Sequence, residues 1–139
     1  MDATAFLEKV KRLDVLLKNK LIEREQWRDL ALSVTAHSDG DRVQSSGNLQ
    51  KMSDAVARCV DMEAEINAIV ERLAAEKADV LSVIEQLPPD EYDVLHMKYI
   101  QHLTNDEINM ARDRIGSWAS TIASNGRKNV QMILDGRGV

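Results

Sequence analysis

The chain has 139 residues, a net charge of −5, and 44% hydrophobic but only 4% aromatic content, so it holds one ordinary domain, or a small domain plus an extended element, around an aliphatic core. Abundant Ala, Leu, Glu and Lys with only two prolines point to an all-α fold. No run approaches the roughly 18 apolar residues of a membrane-spanning helix, and the N-terminus lacks a signal-peptide pattern, so the expected setting is cytoplasmic with no membrane partner.

In chain order, residues 3 to 36 read as one long helix. Its apolar stripe runs Phe6, Val10, Leu13, Leu17, Lys20, Arg24, Trp27, Ala31, Val34, widened by Leu16, Leu21 and Leu30 and charged only in the middle. His37 to Asn48 (HSDGDRVQSSGN) is rich in Gly, Ser and Asp and reads as a connection. A second helix spans about 49 to 86, with the stripe Leu49, Met52, Val56, Cys59, Glu63, Ile66, Val70, Leu73, Lys77, Val80, Ile84, Leu87, a heptad repeat long enough for a coiled coil. Cys59, the single cysteine, lies on this stripe and reads as a buried structural thiol.

Neither helix buries its stripe alone, and folding back about residues 37 to 48 buries both. The expectation for residues 1–87 is therefore a long antiparallel helical hairpin, coiled-coil-like, with Glu63 opposite the gap between Lys20 and Arg24, so that the charged breaks coincide. Met62, Ile69, Leu81 and Val83 are expected to stay uncovered. The hairpin is then either a spacer or a dimerisation device in which a second copy completes a four-helix bundle. Pairing within one chain and swapping between chains bury the same stripes.

Pro88 and Pro89 end the second helix and open a unit at 88–139. Asp90 is placed to cap a helix through Ile100, with Tyr92, Leu95, Met97 and Tyr99 apolar, closed by Leu103. Thr104-Asn-Asp-Glu107 is a capping box that fixes a helix at about 105 to 114. Arg114-Ile-Gly-Ser117 supplies a glycine turn and a serine N-cap for a third helix, about 118 to 134, with Ile122, Val130 and Ile133 inside. Three short helices with a tight turn before the last resemble a helix-turn-helix.

The candidate site follows from that reading. Ser117, Trp118, Ser120, Thr121, Ser124, Asn125, Arg127 and Lys128 carry hydroxyls, an amide and cations suited to base edges and phosphates, and Arg112 and Arg114 stand before the turn as phosphate clamps. The alternative for the polar set is a solvated face, and for Trp118 a buried anchor. Gly126 marks a kink or the close approach of another backbone. Net charge is −1 from Pro88 onward but +3 from Arg112 onward. His96 and His102 are six apart without nearby Cys, so no metal site is expected. With no phosphate loop or catalytic triad, no enzyme and no cofactor are expected.

Residue patterns sharpen this. "LPPDExxVLxxxY" from Leu87, "LTxxEI" from Leu103 and "STI" from Ser120 resemble region 4 of sigma-70-type factors and related phage regulators. "KRLD" at Lys11, "RVQSSG" at Arg42 to Gly47 and "VDMEAEI" at Val60 to Ile66 resemble phage proteins allied to the ArpU-type late-gene regulators. The resemblance implies a phage or prophage transcriptional regulator that binds double-stranded DNA through a sigma-region-4-like helix-turn-helix, as a dimer, with RNA polymerase a further partner. It also implies a role for the Arg42 to Gly47 loop beyond turn chemistry. The rival is a protein-binding module that engages a host or phage protein without reading DNA. Asn109 stands where the usual motif has alanine, and Ile108 to Ile122 runs a few residues longer than the pattern.

Overall fold

The computed structural model describes residues 1–39 and 46–137, with side chains described for 1–33 and 49–137. Among the described residues the regular elements are all helical: α1 (Ala3–Asp39), α2 (Ser46–Ile84), α3 (Pro89–Leu95) running into a π-helical turn (His96–Ile100), α4 (Asn105–Ala111) and α5 (Trp118–Arg137). The first runs past its expected end at 36, and the second starts before the expected 49, so that Ser46 and Gly47 already belong to α2, and stops at Ile84, short of the expected 86. The remainder of the Arg42 to Gly47 loop lies outside the described residues.

The chain divides into two compact units, one made of Met1–Asp14 with Leu73–Val139 and the other of Val15–Arg72. The boundary expected between 87 and 88 falls inside the first unit, because the core there crosses it. Phe6, Leu7 and Val10 of α1 and Val80, Val83, Ile84 and Leu87 from the end of α2 cluster with Val94, Leu95, Ile108, Ala119, Ala123 and Val130. Each large side chain so buried contributes about 1.5–3 kcal/mol, and neither the helix ends nor α3–α5 would hold a core of that size alone.

Polar contacts bind the same pieces. The Ala3 N–H donates to Gln131 Oε1 (2.8 Å), Lys9 meets Glu76 (2.6 Å) and Asp79 (3.0 Å), and His102 Nε2 lies 2.5 Å from Asp14 Oδ2. Residue 102 adopts a left-handed φ of 61°, which turns the chain out of the π-helical turn after its Gln101 N–H donates to the His96 carbonyl (3.0 Å). At the start of α3 the cap position is taken by Pro88 with no side-chain bond, and Asp90 sits inside the first turn. Pro89 fills the first helical position, where its missing N–H costs nothing.

The unit Val15–Arg72 is made of residues from α1 and α2. Lys20 meets Glu65 (3.4 Å) and Arg24 Nη1 donates to Glu63 Oε1 (2.9 Å). The apolar seam differs from the expected one. Met62 is fully buried, with Ala55 and Ile66, whereas Leu49, Val56 and Val70 are exposed. Val83, also expected to be uncovered, is fully buried in the other unit, and Ile69 and Leu81 are half-buried. Both sets repeat at three- and four-residue spacing, so periodicity alone could not choose between them.

Candidate nucleic-acid interface

Thr104 starts α4 as the sequence requires: its hydroxyl accepts from the Glu107 N–H (3.2 Å) and the Glu107 carboxylate accepts from the Thr104 N–H (3.0 Å). Those two bonds hold the Glu107 carboxyl below its ordinary range. The helix then stops at Ala111, three residues before the expected end. Asp113 (φ 54°) and Gly116 (φ 69°) both turn left-handed, which no helix tolerates.

This longer turn is closed by Asn109. Its side chain is buried; Nδ2 donates to the Gly116 carbonyl (3.0 Å), and Oδ1 accepts the N–H of Ala119 (3.0 Å). Its backbone carbonyl accepts from Arg114 (2.8 Å). Asn109 thus takes the N–H of the second residue of α5, the cap bond that sequence assigned to Ser117. Alanine at this position could make neither side-chain bond.

On α5 the inward face is Ala119, Ala123, Gly126 and Val130. A Cβ on Gly126 would stand 2.9 Å from Leu95 Cδ1 and 3.0 Å from its Cγ. The glycine therefore marks a close approach of α3, by a side chain rather than a backbone. The opposite face carries Ser117, Ser120, Thr121, Asn125 and Lys128, all exposed, while Ser124 and Arg127 are half-buried. Between Trp118 and Leu134 the sequence contains no acidic residue. Trp118 is half-buried against the core, with the Arg114 guanidinium 5.0 Å from its ring centroid.

Two expected contributors are otherwise engaged. Arg112 forms a fork with Asp93 (2.5 and 2.8 Å), whose hydrogen bonds hold the Asp93 carboxyl below its ordinary range and push Arg112 further up. Arg127 donates to the Tyr99 hydroxyl (3.3 Å).

That last contact leads to residues that linear reading missed. A recess of about 370 Å³ is lined by Glu8, Lys11, Lys98, Tyr99, Thr104 and Asn105, among others. The Lys98 amine donates to the neutral Asn105 Oδ1 (2.8 Å). Burial first, then repulsion from Arg127 and Lys11 against the opposing pull of Glu8, lowers its affinity for a proton. Lys11 and Lys98 are 87 positions apart in the chain, and no sequence period links them. On the other side of the turn, Met110 and Ile115 are 81% and 91% exposed, beside a 660 Å³ recess that also takes in Asp106, Asp113 and Arg114. Among the described residues no group of three His, Cys, Asp or Glu could hold a metal ion, and no helix is long and apolar enough to cross a membrane.

No protein-family model matches this chain, and neither does a curated protein or a solved structure.

Proposed function

We propose that the chain is a non-catalytic, sequence-specific DNA-binding regulator of transcription, of phage or prophage origin. In this reading α4 and α5 form a helix-turn-helix of the sigma-region-4 type, preceded by an antiparallel helical hairpin that recruits a second copy. The observation that carries it is the outer face of α5: in a protein of net charge −5, this helix runs acid-free from Trp118 to Leu134 and exposes Ser120, Thr121, Asn125 and Lys128. Hydroxyls and an amide suit base edges in the major groove. Cations at Lys128, Arg127, Lys98 and Lys11 suit the phosphates that set orientation. Arg112, held by Asp93, contributes less than a free arginine would. Family resemblance adds control of late genes through RNA polymerase, in the bacterial cytoplasm.

A second reading has its own observation. Met110 and Ile115 stand out into solvent at the turn, and such side chains next to one another favour docking of a protein there. The two readings separate in one experiment: gel shift with fragments of the protein's genomic neighbourhood, at low and physiological salt, with random DNA as competitor. A DNA regulator gives a shift that survives competition, weakens with salt and is lost on replacing Arg127 and Lys128 by Glu. No shift from the folded protein at either salt overturns the DNA reading in favour of the protein-docking one.

A further inference from the structure

The recess of about 370 Å³ beside the π-helical turn carries an uncompensated charge. Lys11 of α1 and Lys98 of the turn line it, and Glu8 is the one carboxylate among the described residues of its wall. Arg127 of α5 joins them through the Tyr99 hydroxyl (3.3 Å), which also belongs to the wall. These charged groups all lie in the unit Met1–Asp14 with Leu73–Val139, and together they leave a net +2.

Four other half-buried cations, Lys9, Lys20, Arg24 and Arg58, each lie against a carboxylate. Lys98 and Arg127 are half-buried too, yet among the described residues they form no ion pair, and neither does the exposed Lys11. The Lys98 amine has the neutral Asn105 amide oxygen at 2.8 Å instead. Burial, Arg127 and Lys11 all weaken its hold on a proton, and Glu8 opposes them. Like charges partly withdrawn from water are costly to keep together unless an anion sits among them.

We propose that this recess seats one phosphate group, held by Lys11, Lys98 and Arg127. Charge and oxygen count select that ligand. A phosphate monoester carries about −1.5 to −2 at neutral pH and presents three strong acceptor oxygens, which matches a net +2 and donors drawn from α1, the π-helical turn and α5. A carboxylate offers one charge and two oxygens. Lysine serves phosphate as a point charge and arginine as a fork of donors, and both kinds are present. A nucleic-acid backbone and a small phosphorylated molecule share this chemistry. The proposal deepens the phosphate contacts of the regulator reading without resting on DNA binding, because the seat is complete in one folded chain.

The test is a proton–nitrogen correlation NMR titration of the full chain with inorganic phosphate, ionic strength being held constant with chloride. The expected result is a saturable shift of the Lys98, Tyr99 and Asn105 amides that chloride alone does not produce. K11Q and R127Q should each raise the dissociation constant by about fivefold or more, since each removes one charge-assisted bond. K98Q should do the same, with circular dichroism showing the helices retained. K128Q, which removes an exposed cation of α5 outside the recess, should leave phosphate binding unchanged. No saturable response to phosphate, or equal losses for K128Q and K11Q, overturns the proposal. A random-sequence duplex then identifies the source of the phosphate. If it shifts the same amides and free phosphate displaces it, the seat takes a nucleic-acid backbone; if phosphate binds and the duplex leaves those amides unmoved, the seat takes a small phosphorylated ligand. A gel shift that persists when phosphate does not bind sinks this proposal and leaves the regulator standing, and the reverse result sinks the regulator alone.

Discussion

Replacing Asn109 by alanine removes both side-chain bonds that close the turn between α4 and α5. The Gly116 carbonyl is exposed and regains water, so that bond is worth about 0.5–1.5 kcal/mol; the Ala119 N–H is buried and loses its acceptor, at about 1–3 kcal/mol. The expected loss is therefore about 2–4 kcal/mol, a large part of the ~5–15 kcal/mol that holds a domain together. It corresponds to a fall in Tm of roughly 6–12 °C for a chain of this size. Urea denaturation followed by circular dichroism reads it as a lower midpoint at unchanged slope. N109D is a sharper probe: it keeps an acceptor for Ala119 but sets an oxygen against the Gly116 carbonyl, and should be at least as harmful at neutral pH. A loss below about 0.5 kcal/mol for N109A would refute the claim that this amide takes over the α5 cap. Serine at 117 would then be the cap, and S117A should carry the loss instead.

Three other outcomes follow from named contacts. G126A gains about 1 kcal/mol of helix propensity but drives a methyl to 2.9 Å from Leu95, an overpacking that costs about 1–3 kcal/mol; calorimetry should show a net loss, relieved when Leu95 is shortened to Val. Asp93 has a folded-state pKa below its ordinary value because of Arg112, so its contribution is present above about pH 4 and is lost as pH falls through the lowered folded value; acid titration of stability should be shallower there for D93N. If Lys98 faces a backbone phosphate, K98Q should weaken DNA binding evenly across sequences and reduce the slope of log K against log salt by about 1, measured by fluorescence anisotropy.

The helices themselves were legible in the residues. Apolar spacing, two adjacent prolines and the Thr104–Glu107 box give their order and type from local geometry, because each signal acts over four residues or fewer. The contact of Arg24 with Glu63 was foreshadowed too, since charges of opposite sign interrupt the two apolar stripes. Sequence also named the outer face of α5: hydroxyls, amide and cations without acids are a property of one helix. What it could not see was which of two heptad seams on α2 turns inward, because both satisfy the same period and differ only in what α1 presents. It could not join Phe6 and Val10 to Ala123 and Val130, or Lys11 to Lys98, because core membership and cation clustering depend on distance in space. Asn109 shows the same division. A polar residue among apolar neighbours is visible in the sequence, but its physical role, a buried amide bonded across the turn to Gly116 and Ala119, exists only once the chain has folded.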